Sequence, residues 1–190
     1  MEPNVTQPKE LNPGSLDGKK LAVITITKDH DLCKEICDDL HLMGASLIAV
    51  SKTGQFPSGW EAGKAMRFDL ADHGKFDGLV ILTDKAGAEE VMESENADHF
   101  ITSFFENGKP VGAIAYGPSL LGQLGLLENR SVSADADFGN RLRSQGANVQ
   151  NTPMTTDQGL TTAVSSMPPK EFVLKVAEEV KEGQHKGQTA

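Results

Sequence analysis

At residues 109–121 the chain reads KPVGAIAYGPSLL, and its chemistry changes abruptly in the middle of this stretch. Residues 111–115 form an apolar run that is too short for a helix and is typical of a strand buried on both faces. Gly117 permits a sharp turn, and Pro118 suits a first helical turn. Leucines then follow at helical spacing: Leu120, Leu121, Leu124 and Leu127. The pattern predicts a strand, a tight turn and a helix, which is the geometry of a nucleophile elbow with a strained residue at its tip.

The length and charge of the chain limit the classes of function. Its 190 residues fit one domain that can bury a substantial core without metal or disulfide support. The formal net charge of -9 disfavours electrostatic binding to polyanions, so we expect no nucleic-acid partner and no membrane partner.

The cysteines and the apolar runs favour a cytoplasmic protein. Cys33 and Cys37 lie four residues apart in one predicted helix, where an unstrained disulfide is difficult to form. We expect them to be reduced packing residues rather than redox sensors. No apolar run approaches about 20 residues, and residues 1–18 lack the pattern of a signal peptide.

Alternating strand and helix patterns predict an α/β fold with an open, mostly parallel sheet covered by helices on both faces. We expect a flexible arm at residues 1–19, a domain at 20–182 and a disordered tail at 183–190. The predicted helices begin at Asp29 or Asp31, at 96, at 118, at 138 and at Pro168, the last capped by Ser165 or Ser166. The predicted strands cover residues 21–27, 47–50, 66–70 at an edge, 76–82, 111–115, 131–133, 148–149 and 160–164.

The elbow stretch is similar to that of the ThiJ/PfpI family, usually written G-K-P-V-A-A-I-C-H-G-P-x-x-L. Further likenesses to that family lie at residues 76–82, 125–127, 144–147 and 157–162, so the resemblance runs from about residue 20 to 180. It implies a flavodoxin-like fold of the type 1 glutamine-amidotransferase kind, and a homo-oligomer. The chain also resembles the comparable domain attached to some large catalases, which lacks the elbow cysteine.

The family's cysteine and histidine positions are occupied here by Ala115 and Tyr116. A methyl group cannot attack a carbonyl, and a phenol with an ordinary pKa of about 10 is a poor substitute for imidazole near neutral pH. The family's Pro-Gly-Gly turn after the third central strand is Leu82-Thr83-Asp84, whose carboxylate would oppose a developing oxyanion. The sequence thus predicts a vestigial pocket. Its residues are Thr83, Asp84, Lys85, Ala115, Tyr116 and Gly117.

The family also places an acid after the first strand, and this acid aligns with Asp29, or with His30 or Asp31 when counted from the other end. Helix capping is an alternative role for either aspartate. Glu89 aligns with an acid that contacts the catalytic histidine across a subunit boundary, although it would also complement a helix dipole. Tyr116 is either a weak acid or a space-filling aromatic.

Two other kinds of site receive less support from the sequence. Residues 85–88 form a glycine-containing loop without a phosphate-loop pattern, so we favour no anion site there. The histidines are scattered without metal-ligand spacing, so we expect neither a metal nor a cofactor.

Three functions remain open. The favoured hypothesis is a catalytically degenerate domain with a binding, oligomerisation or stability role. The second is an enzyme of the glyoxalase, deglycase or peptidase type acting on small carbonyl or amide substrates. It would use Tyr116, Asp29 or Asp31, or a Lys85 Schiff base that requires burial. The third is a small-molecule sensor that binds its ligand between Ala115, Asp84 and Glu89.

Overall fold

The computed structural model describes residues 10–25, 30–55 and 64–185, which contain a seven-stranded sheet. The strands of this sheet are β1 (Lys20–Ile24), β2 (Ser46–Ser51), β3 (Lys64–Arg67), β4 (Gly78–Thr83), β5 (Val111–Ala115), β8 (Met154–Asp157) and β9 (Leu160–Ala163). Their order in the sheet is β3-β2-β1-β4-β5-β9-β8, and neighbouring strands are parallel except for β8 and β9. A separate parallel pair consists of β6 (Ser131–Val132) and β7 (Asn148–Val149).

Helices cover both faces of the sheet, because strand residues alternate between two cores. The helices are α1 (His30–Leu42), α2 (Lys85–Met92), α3 (Glu95–Glu106), α4 (Gly117–Gln123), α5 (Ala136–Ser144) and α6 (Pro169–Glu182). Leu79 and Ile81 pack into one core with α2, α3 and α4, whereas Val80 and Leu82 pack into the other with α1 and α6. This arrangement confirms the predicted mostly parallel α/β fold. No described helix is long and apolar enough to cross a bilayer.

The sheet differs from the predictions in three details. The edge strand expected at residues 66–70 is β3, which ends at Arg67 and gives way to a 3-10 turn at Phe68–Leu70. β1 ends at Ile24, and residues 26–27 of the longer predicted strand lie outside the described residues. β8 was not expected, and it forms an antiparallel hairpin with β9 through the left-handed residues Gln158 and Gly159.

Two helix predictions are also wrong. Residues 85–88, expected to be a loop, begin α2, because the Asp84 carboxylate caps the helix through the Gly87 N–H. Neither Ser165 nor Ser166 caps α6, which begins at Pro169 without a side-chain cap. The Ser165 N–H and hydroxyl donate instead to the Asp135 carboxylate.

The predicted flexible ends include residues that pack against the domain. Leu16 is fully buried, and its N–H donates to the Met43 carbonyl over 2.7 Å. At the other end, the His185 N–H donates to the Gly108 carbonyl over 2.8 Å. The folded part of the chain therefore extends beyond the expected limits of 20 and 182.

Candidate functional site

The elbow is present in the backbone. β5 ends at Ala115, which has a φ of +58°, and Tyr116 then returns to right-handed geometry and precedes α4. An alanine in the left-handed region is disfavoured because its Cβ crowds the following carbonyl. The fold therefore keeps the strained tip of a nucleophile elbow at a position whose side chain is only a methyl group.

Gly117 has a different role from the one that the sequence suggested. The sharp turn is made at Ala115, whereas Gly117 is buried at the start of α4. A Cβ on Gly117 would lie 3.0 Å from the Ala113 Cβ and 3.1 Å from the Ile81 carbonyl oxygen. Gly117 thus allows α4 to approach the sheet closely, and it does not line the pocket that the sequence assigned to it.

A cavity of about 310 Å³ opens at the carboxyl ends of β4 and β5, where Thr83 and Ala115 are register partners. This position is where open parallel sheets commonly bind ligands. Eleven residues line it, and we call it the elbow cavity. They are Leu32, Cys33, Leu82, Thr83, Asp84, Lys85, Ala115, Tyr116, Asp135, Phe138 and Ser165.

The structure brings five of the six predicted pocket residues together, with Gly117 as the exception. Of the predicted acids, the two that the structure describes, Asp31 and Glu89, do not line the cavity. Asp31 is exposed in the first turn of α1, and Glu89 is exposed on α2. Asp29 lies outside the described residues, as does the side chain of His30.

Asp84 controls the chemistry of one wall of the cavity. Its Oδ1 accepts a hydrogen bond from the Gly87 N–H over 2.8 Å at the N-terminus of α2. A helix N-terminus favours negative charge, and here the protein's own carboxylate occupies it. An oxyanion formed at this wall would meet a carboxylate rather than free N–H donors, which disfavours acyl transfer.

Tyr116 fills space and also contacts its neighbours. Its ring packs edge-to-face against Phe138 with the centroids 5.1 Å apart, and its hydroxyl accepts a hydrogen bond from Gln123 Nε2 over 3.4 Å. Lys85 is exposed at the cavity, so it lacks the burial that the Schiff-base hypothesis requires.

Cys33 is a cavity residue that the sequence analysis placed only in the core. It lies in the first turn of α1, is 8% exposed, and donates from Sγ to the Leu82 carbonyl over 3.6 Å. Cys37 lies one turn further on and is almost fully buried. Burial raises the pKa of the Cys37 thiol, and the charges of Cys33 and Asp38 raise it further. The sequence offered one indication of this position: Cys33 lies near the predicted start of the helix after β1, where the resemblance places an acid close to the elbow.

Asp135 and Ser165 also escaped the sequence analysis, because they come from distant parts of the chain. Both Ser165 groups donate to Asp135, the backbone N–H over 2.8 Å to Oδ1 and the hydroxyl to Oδ2. Asp135 therefore joins the start of α5 to the segment before α6. The cavity lining thus contains two carboxylates, those of Asp84 and Asp135, and one ammonium group, that of Lys85.

The sequence profile of the DJ-1/PfpI family matches residues 33–179. The chain belongs to the DJ-1/PfpI family. Among curated proteins, the deglycase TK1284 of Thermococcus kodakarensis is 32% identical to this DJ-1/PfpI domain over 89 residues, which cover 47% of this chain and 53% of the deglycase. The matched segment thus spans about half the length of that relative.

Solved structures of DJ-1/PfpI proteins share the fold. Drosophila melanogaster DJ-1beta superposes with a TM-score of 0.71 at 18% identity, covering 90% of this chain and 93% of the other. A ThiJ/PfpI domain protein from Brachyspira murdochii gives 0.69 at 16% identity, covering 87% and 98%. A two-domain protein from Anabaena variabilis, which adds a ferritin-like domain, gives 0.70 at 17% identity, covering 85% of this chain and 48% of the other.

Proposed function

We propose that this DJ-1/PfpI domain is a catalytically degenerate member of its family that binds a small molecule in the elbow cavity. The observation that carries the proposal is the left-handed Ala115 at the elbow tip, where the backbone keeps a nucleophile's geometry without a nucleophile. The capping role of Asp84 supports it, because the carboxylate takes the place of oxyanion donors.

The lining of the cavity favours a small cation with an apolar part. Asp84 and Asp135 supply negative charge, and the edge-to-face pair Tyr116 and Phe138 supplies an aromatic wall. Cations bind aromatic faces as well as carboxylates. A volume of about 310 Å³ lies at the lower end of the range for ligand sites, so the ligand is small.

Thermal shift with benzylamine and benzoate as probes tests this proposal, since a ligand of the native state must raise the melting temperature. Benzylamine is expected to raise it and benzoate, of similar size and opposite charge, is not. Asp135→Asn should weaken benzylamine binding about two- to fivefold, the effect of losing one partly exposed charge. Asp137→Asn is the matched control, because Asp137 is exposed on α5 and does not line the cavity. Equal shifts with both probes, or none with either, would contradict the proposal.

A second candidate function is favoured by one observation, the thiol of Cys33 in the cavity wall. In a deglycase-like reaction this sulfur would add to a small aldehyde, with the thiol proton passing to the carbonyl oxygen. Iodoacetamide alkylation of the native protein, mapped by mass spectrometry, tests whether the thiol is available. Labelling of Cys33 that benzylamine suppresses would favour this candidate, whereas an unlabelled Cys33 would remove it.

The self-association expected from the family is a separate proposal. We infer a dimer or larger oligomer, and a calibrated sizing column tests it directly. Elution at the volume of a 20.3 kDa monomer would contradict it.

A further inference from the structure

A cluster of three metal-ligating side chains lies at the C-terminal end of α6, and none of them lines the elbow cavity. Glu179 and Glu182 lie in the last turn of the helix, and His185 follows after the chain reverses at Gly183, which has a φ of +83°. The Glu179 side chain is almost fully buried although it is a carboxylate. A buried carboxylate requires positively charged or hydrogen-bonding partners, and Lys175 and His185 supply them to Glu179.

The backbone fixes the position of His185 against the helix. Its N–H donates to the Gly108 carbonyl over 2.8 Å, and a Cβ on Gly108 would lie 2.2 Å from the His185 carbonyl oxygen. The tight contact requires glycine at position 108. These contacts fix the backbone of His185, and its ring is placed by a hydrogen bond between Nε2 and Glu179 Oε2.

The distances between the ligand atoms suit a tetrahedral metal ion. His185 Nε2 lies 3.1 Å from Glu179 Oε2 and 3.8 Å from Glu182 Oε2, and one ligand atom from each of the three residues lies within 4.8 Å of the others. Zinc bonds to nitrogen and oxygen are about 2.0–2.2 Å long, so tetrahedral ligand atoms lie about 3.3–3.6 Å apart. The two imidazole–carboxylate distances differ from those separations by only a few tenths of an ångström.

The local charge favours a divalent cation. The C-terminal end of a helix carries partial negative charge, which adds to the two carboxylates. Two lysines reduce this charge: Lys175, whose Nζ lies 3.7 Å from Glu179 Oε1 and 3.4 Å from Glu178 Oε2, and Lys181 in the last turn of α6. The other oxygen of Glu179, Oε2, is the one that faces His185.

We propose that Glu179, Glu182 and His185 form a Zn²⁺ site that pins the segment after α6 to the turn at Gly108. The mixed imidazole and carboxylate ligand set favours zinc over calcium, which prefers six or more oxygen ligands. Water would fill the fourth position. This proposal replaces the expectation of no metal site, which rested on histidine spacing alone and could not anticipate the chain reversal.

Isothermal titration of EDTA-treated protein with ZnCl₂ tests the site. We expect one zinc ion per chain, a higher melting temperature, and little heat with CaCl₂. His185→Ala and Glu182→Gln should each weaken zinc binding about tenfold or more, because each removes or neutralises a ligand. His41→Ala is the matched control, since His41 is exposed on α1 and lies outside the cluster.

Two measurements keep the result decisive. The melting temperatures of the metal-free variants report any folding defect, and Co²⁺ in place of Zn²⁺ reports tetrahedral geometry by its visible absorption. Absence of zinc binding, zinc binding that both variants leave unchanged, or equal affinity for calcium would each overturn the proposal.

Discussion

Replacing Ala115 by glycine separates the strain of the elbow from the ordinary cost of a glycine in a strand. Ala115 has a φ of +58°, which costs an alanine about 1–2 kcal/mol relative to right-handed geometry. Glycine adopts this conformation freely. It also makes the unfolded chain more flexible, which lowers the free energy of unfolding by about 0.5–1 kcal/mol relative to alanine. The two effects oppose each other, so Ala115→Gly should leave the free energy of unfolding unchanged or raise it by about 1 kcal/mol.

Ala113→Gly is the matched control, because Ala113 is fully buried two residues earlier in the same strand and does not have a positive φ. It should lose about 0.5–1 kcal/mol of backbone stability and about 0.8 kcal/mol for the buried methyl group. The two variants should therefore differ by about 2 kcal/mol, or about 4–8 °C in melting temperature for a domain of this size. Urea unfolding and calorimetry measure both. Equal destabilisation by the two substitutions would refute the strained elbow.

Three further predictions concern the helix cap, the buried thiol and the reconstructed elbow. Asp84→Ala removes the α2 cap and should lower the free energy of unfolding by about 1 kcal/mol, measured by urea unfolding. Asp84→Asn is the control, because it retains an acceptor oxygen, and equal losses in the two variants would contradict the capping role. Burial raises the pKa of Cys37 in the folded state, so its thiol contributes stability that is fully present below the unfolded pKa of about 8.5. As the pH rises above that value, this contribution to the free energy of unfolding falls by up to about 1.4 kcal/mol per pH unit. Stability from pH 8 to 10 should fall less steeply in Cys37→Ala, and identical slopes would contradict this. Ala115→Cys combined with Tyr116→His should recover little methylglyoxal turnover, because the Asp84 carboxylate still opposes the oxyanion. Robust turnover by this double variant would show that Asp84 does not prevent the reaction.

The sequence predicts the sheet and the elbow well, because each depends on local patterns. Residues 111–115 are apolar and followed by Gly-Pro and leucines at helical spacing, and these features alone predict β5, the turn and α4. The start of α2 was placed too late, near Glu89 instead of Lys85, because its first turn contains Gly87 and only the Asp84 cap shows that the helix begins there.

The cavity was only partly predictable because half of its wall comes from distant segments. Asp135 and Ser165 are thirty residues apart and meet through two hydrogen bonds that no local pattern indicates. The position of Cys33 depends on the angle at which α1 packs against β4, which periodicity does not define. His185 meets Glu179 only because the chain reverses at Gly183.

The most direct test of the degenerate elbow is steady-state turnover of methylglyoxal and of a glycated peptide by the purified protein. The absence of a nucleophile at Ala115 predicts no rate above that of the Cys33→Ser variant or of buffer alone. Turnover by the wild-type protein that disappears in Cys33→Ser or Tyr116→Phe would contradict this account and show that the cavity retains catalytic chemistry.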